Sequence, residues 1–178
     1  MKFVLVEAAL ALGTAMPAHA DVYSYSGDTT GAPVMHRPIS TSVLSGVGTA
    51  TRYEALSFHV DTSGVYSFQS VAGYDNYTLL YQDSFVPSAS LQNLIAVNDD
   101  IAQLPGFSGF LTYLYARTPY VFVSTGFENA DFGSFDGRIE GNGAILLTPP
   151  VPEPETYAMF LAGLSLIAVW RKRQRRIG

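Results

Sequence analysis

Apolar side chains recur at every second position through the middle of this chain, a period that favours strands over helices. Leu56, Phe58 and Val60 alternate with polar residues, as in a strand with one buried face. After a turn at residues 62–64, Tyr66 and Phe68 repeat the alternation, and the two runs are predicted to form a hairpin. No twelve-residue stretch between residues 21 and 150 shows a helical period.

The same alternation predicts a strand over residues 77–82, with Tyr77, Leu79 and Tyr81 on one side. Two further alternating runs flank a proline-containing turn and predict a second hairpin. These two runs cover residues 110–116 and 120–125.

Residues 94–97 form a short apolar run, which predicts a core strand, and residues 143–147 predict a closing strand. Residues 27–52 are rich in Gly, Ser and Thr and predict a long loop, with room for one edge strand. Many short strands at regular turn spacing predict an all-β fold, a single jelly-roll-like β-sandwich over residues 21–148.

The C-terminus combines three unlike elements in order. Val151, Pro152, Glu153 and Pro154 form a box whose prolines hold the chain extended. Residues 157–170 carry no charge, and the following residues 171–178 contain five basic side chains, which favour the cytoplasmic side of a membrane. The uncharged segment is shorter than the usual span of about 20 residues. A buried amphipathic helix is the alternative, but the segment has no polar face.

The N-terminus predicts a signal peptide over residues 1–20. Lys2 precedes an apolar stretch, and Ala18 and Ala20 form an A-x-A cleavage site before Asp21. Glu7 departs from this pattern, and a first helix of the fold is the alternative. The predicted organisation is therefore a signal helix at 1–20, an ectodomain at 21–148, a Pro-rich linker at 149–156, a transmembrane helix at 157–170 and a basic cytoplasmic tail at 171–178.

The C-terminal pattern resembles the PEP-CTERM sorting domain of Gram-negative bacteria. The resemblance rests on the Val-Pro-Glu-Pro box, a Leu-x-Gly-Leu helix (Leu161, Gly163, Leu164) and the terminal Arg cluster, and covers about residues 150–176. The same element is also labelled an ice-binding protein C-terminal domain, a label that describes the anchor alone. The resemblance implies recognition by an exosortase, a membrane processing enzyme, after passage through the export machinery and signal peptidase. It implies transient anchoring in the inner membrane, then release to the cell surface or outside the cell.

The ectodomain resembles, more weakly, the bacterial pre-peptidase C-terminal domain, a secreted jelly-roll module that is not catalytic. The shared pattern runs from about residue 53 to 141. It includes a strand followed by Asp61-x-Ser63-Gly64-x-Tyr66, and a Leu94-Ile95-Ala96 run followed by three acidic or amide residues.

Residues 21–150 are strongly acidic, with twelve acidic and four basic side chains and a net charge near −8. Such a surface repels phosphate backbones, so nucleic acid is not expected as a partner. The chain has no cysteine, so an exported domain must be held by its core alone.

The residue inventory predicts no enzyme. After removal of the signal peptide only His36 and His59 remain, and His59 lies on the polar face of its strand. No nucleophile elbow, zinc-protease motif or phosphate loop occurs.

The best binding-site candidates are four loop residues, Asp75, Asn98, Asp99 and Asp100. Calcium takes six to eight oxygen ligands from carboxylates, amides and carbonyls, which clustered Asp and Asn residues supply. The alternative is that these residues cap turns through side-chain hydrogen bonds. Extended, neighbouring aspartates point to opposite faces, so Asp99 and Asp100 are poor candidates for a catalytic acid and base. No cofactor is required, and calcium is the ligand to test.

The sequence predicts a non-enzymatic exported protein of the cell surface or extracellular matrix. Ten tyrosines lie between residues 21 and 150, and exposed ones stack on sugars. The alternative function is therefore a carbohydrate-binding module of the exopolysaccharide matrix, recognised by a flat exposed row of tyrosines.

Overall fold

The computed structural model of this chain describes residues 20–148. They form twelve strands and one 3₁₀ turn at Pro87–Ala89, and contain no α-helix. The strands are β1 (Asp21–Asp28), β2 (Val34–Met35), β3 (Pro38–Ser40), β4 (Val43–Leu44), β5 (Thr51–Val60), β6 (Gly64–Ala72), β7 (Asn76–Gln82), β8 (Leu94–Asn98), β9 (Phe107–Leu114), β10 (Tyr120–Gly126), β11 (Ser134–Gly141) and β12 (Ile145–Leu147).

The chain divides into two compact units, one ending at Leu146 and the other beginning at Leu147. Nearly all of the second unit, including the predicted transmembrane helix at 157–170, lies outside the described residues, as does the predicted signal helix apart from Ala20. Residues 20–148 include no helix long and apolar enough to cross a membrane.

Two antiparallel sheets pack face to face. One has the order β1-β11-β6-β9, and the other has the order β12-β5-β10-β7-β8, with β2 also paired to β5. The chain alternates between the sheets at most connections, as in a jelly roll. The prediction of an all-β sandwich is confirmed for the described residues.

The core between the sheets comes from the alternating residues seen in the sequence. Phe58 and Val60 of β5 face Tyr66 and Phe68 of β6, and all four are buried. Phe68 and Phe122 stack with ring centroids 5.3 Å apart. Period-two alternation in β5 and β6 therefore identified the side chains that face the core between the sheets.

Both predicted hairpins are wrong. β5 lies in the larger sheet and β6 in the smaller one, and β9 and β10 are divided in the same way. Stacked sheets lie about 10 Å apart, a distance that three extended residues cover at roughly 3.3 Å each. The short connection at residues 61–63 therefore crosses the sandwich instead of turning within one sheet. Alternation determines which side chains face the core, but not which strand lies alongside.

The outer face of the larger sheet is also buried. Tyr77, Leu79 and Tyr81 lie there in a second core cluster with Met35. Met35 belongs to the segment predicted as a long loop, which instead contains the short strands β2, β3 and β4. This covering segment explains why six consecutive residues of β7 are buried.

Candidate functional site

Three carboxylates meet where β7 begins and β8 ends. Asp75 directly precedes β7, and Asp99 and Asp100 directly follow β8. The two strands are antiparallel, with Thr78 opposite Asn98, so these positions fall at the same end of the pair. One carboxylate oxygen from each aspartate lies within 4.8 Å of the other two. We call Asp75, Asp99 and Asp100 the acidic cluster.

The acidic cluster is partly withdrawn from water. All three residues are partly buried, and the Oδ1 atom of each is buried without a hydrogen-bond partner among residues 20–148. A buried oxygen that lacks a donor costs free energy, and a charged one costs more. A proton or a bound cation would lower that cost.

The electrostatics of the acidic cluster agree with this geometry. Burial raises the pKa of Asp99 to about 6, and the charges of Asp100 and Asp75 add to the shift. Burial also raises the pKa of Asp75, with further contributions from Asp100 and Asp131. At neutral pH the cluster therefore holds negative charge against mutual repulsion.

Arg37 is the base that partly offsets the acidic cluster, since it lowers the pKa of both Asp75 and Asp99. Its guanidinium carbon lies 4.1 Å from the Tyr77 ring centroid and 4.6 Å from that of Phe127, and the residue is fully buried. Nε donates to the Phe127 carbonyl at 2.9 Å, and Nη2 donates to Ser45 Oγ at 3.0 Å. These guanidinium donors are therefore bonded to neutral acceptors, and Arg37 affects the carboxylates through its charge and not through a hydrogen bond.

Asn98, the fourth predicted ligand, has a different contact. Its Oδ1 atom accepts a hydrogen bond from the Gly109 amide at 3.3 Å, and its carbonyl accepts one from Ser108 Oγ at 2.8 Å. The side chain therefore links β8 to β9 across the two sheets.

Two residues outside the predicted ligand set lie close to the acidic cluster in the chain or in space. Asn76 is fully buried, and neither polar atom of its side chain has a hydrogen-bond partner among the described residues. Arg37 lies in the segment predicted as a loop. The available signal for Arg37 was its position as one of only four bases in an acidic domain.

The predicted processing residues fall mainly outside the described part of the chain. This applies to Ala18 and to the sorting box Val151, Pro152, Glu153 and Pro154. Ala20 is exposed, and Asp21 begins β1 opposite Gly141 of β11.

The two histidines of the ectodomain were the candidates for an enzymatic site. A His36 ring nitrogen lies 2.7 Å from the Ser45 carbonyl oxygen. His36 also lines a shallow cavity of about 340 Å³ whose other lining residues carry no carboxylate. His59 is partly buried on β5.

Two tyrosines on or just after β9 are well exposed. Tyr113 and Tyr115 have ring centroids 5.2 Å apart, but their planes meet at 67°. A flat sugar-stacking row requires rings that are close to coplanar, so this pair does not form such a platform.

A family model described as the PEP-CTERM protein-sorting motif matches residues 150–176. The match confirms the resemblance noted from the proline box, the uncharged segment and the basic cluster. The motif implies an exosortase as processing partner, and export with membrane transit before display at the cell surface. No curated protein matches this chain.

Proposed function

We propose that this chain is a non-enzymatic surface or extracellular-matrix protein, delivered by its C-terminal sorting motif. The observation that carries the proposal is the motif match at residues 150–176, which begins just after the β-sandwich ends. The sandwich is the delivered domain, and the motif directs its delivery.

The chemistry of the motif suits temporary anchoring. Pro152 and Pro154 have no backbone N–H, so the box resists pairing into a sheet and stays available to a processing enzyme. The uncharged segment favours the bilayer, and the basic cluster opposes translocation of the last residues. Cleavage near the box would separate the domain from its anchor.

The test is to follow the C-terminus in the producing cell. Glu153→Gln combined with Pro154→Ala is expected to leave full-length protein in the inner-membrane fraction, detected by mass spectrometry. The matched control is Glu155→Gln, which removes the same charge just outside the box and is expected to be processed normally. Mature protein is expected to begin at Asp21 and to lack residues 171–176. Surface protein with an intact basic tail would refute the proposal.

A second proposal concerns the acidic cluster, which we infer binds calcium and thereby stabilises the exported domain. Oxygens that share a Ca²⁺ ion at 2.3–2.6 Å lie no more than about 5.2 Å apart, and the three carboxylates meet within 4.8 Å. They supply three to six oxygens, depending on whether each binds through one atom or two, and water completes the coordination. The unpartnered Oδ1 atoms support this proposal.

Melting temperature in chelator, calcium and magnesium tests the calcium proposal on the exported protein. Extracellular modules bind calcium with Kd of about 10⁻⁴ to 10⁻³ M, so millimolar concentrations are required. Saturation a hundredfold above Kd stabilises the folded state by about 2.7 kcal/mol. Asp99→Asn is expected to abolish the rise, whereas Asp136→Asn, the same change on β11, is expected to retain it. Equal melting temperatures in chelator and calcium would show that these residues only shape their loops.

A further inference from the structure

The edges of the two sheets are unequally protected against pairing with another chain. β1 and β9 are the edges of the smaller sheet, and β12 and β8 are the ends of the larger one. An unpaired edge presents free backbone N–H and C=O groups, which natural proteins guard with charges, bulges or very short strands.

Three of these edges carry such protection. β1 begins with Asp21 and ends with Asp28. β12 is only three residues long. The pairing of β8 with β7 contains a register shift between Leu80 and Tyr81. Each feature disfavours a continuous ladder with a second strand.

β9 has none of these features. It contains no charged residue and no proline, and it pairs with β6 over eight residues without a register shift. Its first half is covered, because the Phe107 carbonyl accepts from the Ile101 amide at 2.7 Å and the Gly109 amide donates to Asn98. Beyond Gly109 the described residues provide no such cover for Leu111 and Tyr113.

The contacts of Phe107 and Gly109 show to which side the backbone groups of the rest of β9 point. In an antiparallel ladder, alternate residues direct both N–H and C=O to the same side. The Gly109 amide points away from β6, so the backbone groups of Leu111 and Tyr113 also point to the open edge. Their side chains are 71% and 51% exposed on the outer face.

We propose that two copies of this chain pair antiparallel through the second half of β9, about a twofold axis at Thr112. Leu111 of one copy then exchanges backbone hydrogen bonds with Tyr113 of the other, and the two four-stranded sheets become one eight-stranded sheet. This register places Leu111 beside Tyr113 and Thr112 beside Thr112, and both kinds of cross-strand pair are favourable.

Charge favours the β9 edge for contact between identical copies. The domain carries a net charge near −8, so most approaches of two copies bring like charges together. The outer face formed by β6 and β9 is uncharged, with Val65, Ser67, Gln69 and Val71 on β6 beside the apolar side chains of β9. Copies that pair along the β9 edge bring these uncharged faces side by side and avoid most of the repulsion.

A cysteine at the twofold axis tests the register directly in the full chain. The chain contains no cysteine, so Thr112→Cys adds one thiol per copy. Opposed residues in a non-hydrogen-bonded pair have Cα atoms about 4.5 Å apart, within the range that a disulfide spans.

Non-reducing electrophoresis of protein exported by the producing cell is expected to show a dimer for Thr112→Cys. The control Ser24→Cys, on the opposite edge strand, is expected to remain monomeric. Equal cross-linking of both variants, or cross-linking of Thr112→Cys only to other proteins, would overturn the proposal.

Sedimentation equilibrium of the exported protein supplies the second readout. The parent is expected to self-associate as its concentration rises, and Leu111→Lys is expected to weaken the association at least tenfold by placing like charges at the axis. Val22→Lys, on the exposed face of β1, is the matched control and is expected to associate as the parent does. Equal melting temperatures in dilute solution establish that both variants fold. A parent that stays monomeric at all concentrations, or equal effects of the two lysines, would refute the pairing.

Discussion

Asp99 shows at the residue scale how position in the fold changes a side chain's chemistry. Asp75 and the adjacent pair Asp99 and Asp100 meet at the start of β7, and the buried Arg37 acts on Asp75 and Asp99 through its charge. The sequence identified Asp75, Asp99 and Asp100 because acidic residues cluster at predicted strand ends. The expectation that Asp99 and Asp100 point to opposite faces applied to an extended strand, and both residues follow β8 instead of continuing it. Arg37 could not be predicted, since its burial depends on rings contributed by two distant segments.

Asp99→Asn is expected to stabilise the domain at neutral pH in the presence of chelator. The pKa of Asp99 in the folded state is raised to about 6, above its ordinary value near 3.9. Its favourable contribution is therefore fully present below pH 4 and is lost as the pH rises through about 6. Asparagine is uncharged at every pH, so the variant should exceed the parent in free energy of unfolding at pH 7 and converge with it near pH 4.

Urea denaturation between pH 4 and pH 8 measures this difference. Asp136→Asn is the control, because Asp136 lies outside the acidic cluster on an exposed part of β11. A difference between Asp99→Asn and the parent that is absent at pH 7, or that grows toward pH 4, would contradict the assigned charge environment.

Phe122→Ala tests the packing between the sheets. Phe122 is 1% exposed and contacts the rings of Phe68, Phe110 and Tyr25. Removing a buried phenyl ring leaves a cavity and is expected to cost about 3–5 kcal/mol of unfolding free energy. Val65→Ala, on the exposed face of β6, is expected to change it by less than about 0.5 kcal/mol. Similar losses for the two variants in urea denaturation would show that Phe122 does not anchor this core.

At the scale of strands, the sequence predicted strand positions better than strand partners. The alternation of β5 and β6 follows from side chains that face the core between the sheets, whereas Tyr77, Leu79 and Tyr81 of β7 face the second cluster on the outer side of the larger sheet. Partners depend on which sheet a strand joins, and Val60 and Gly64 sit in different sheets although only three residues separate them. β1 was not predicted. Tyr23 and Tyr25 alternate with serines there, but the segment follows the predicted cleavage site directly and was not assigned to any strand.

Gly137 illustrates a contact between strands that the sequence does not reveal. Tyr25 lies opposite Gly137, and its hydroxyl donates to the Gln69 carbonyl of β6, one strand further on. A Cβ atom at position 137 would lie 2.0 Å from Tyr25 Cζ. The missing side chain therefore lets the Tyr25 ring cross β11.

Gly137→Ala is expected to displace the Tyr25 ring and to cost about 1–3 kcal/mol, the usual penalty for overpacking. Gly73→Ala is the matched control, since no heavy atom lies within 4 Å of its added methyl group. Because the loss arises from one contact, Tyr25→Ala and Gly137→Ala should together cost less than the sum of their separate effects. Additive losses in a double-mutant cycle would place the damage elsewhere.

At the scale of the whole molecule, charge and sorting are separated along the chain. The sandwich is acidic, whereas five of the basic side chains lie in the last eight residues. Composition alone shows this division, and the matched sorting motif, residues 150–176, ends in the basic cluster. Neither observation specifies a partner for the sandwich, because partner recognition depends on surface geometry that alternation and composition do not encode.

The last strand, β12, forms the C-terminal boundary of the domain. β12 pairs with β5, and the Asp61 amide donates to the Ala144 carbonyl at 3.2 Å while the Ala144 amide donates to Asp61 Oδ1 at 2.9 Å. Residues 21–148 are therefore expected to fold alone into a soluble domain with a β-type circular dichroism spectrum, unaffected by reducing agent because the chain has no cysteine. Residues 21–143 lack these contacts and expose the edge of β5 that β12 covers, so they are expected to melt at lower temperature and to aggregate. Thermal denaturation of the two fragments measures the difference. A helical spectrum for residues 21–148 would overturn the sandwich, and equal melting temperatures would show that β12 lies outside the cooperative unit.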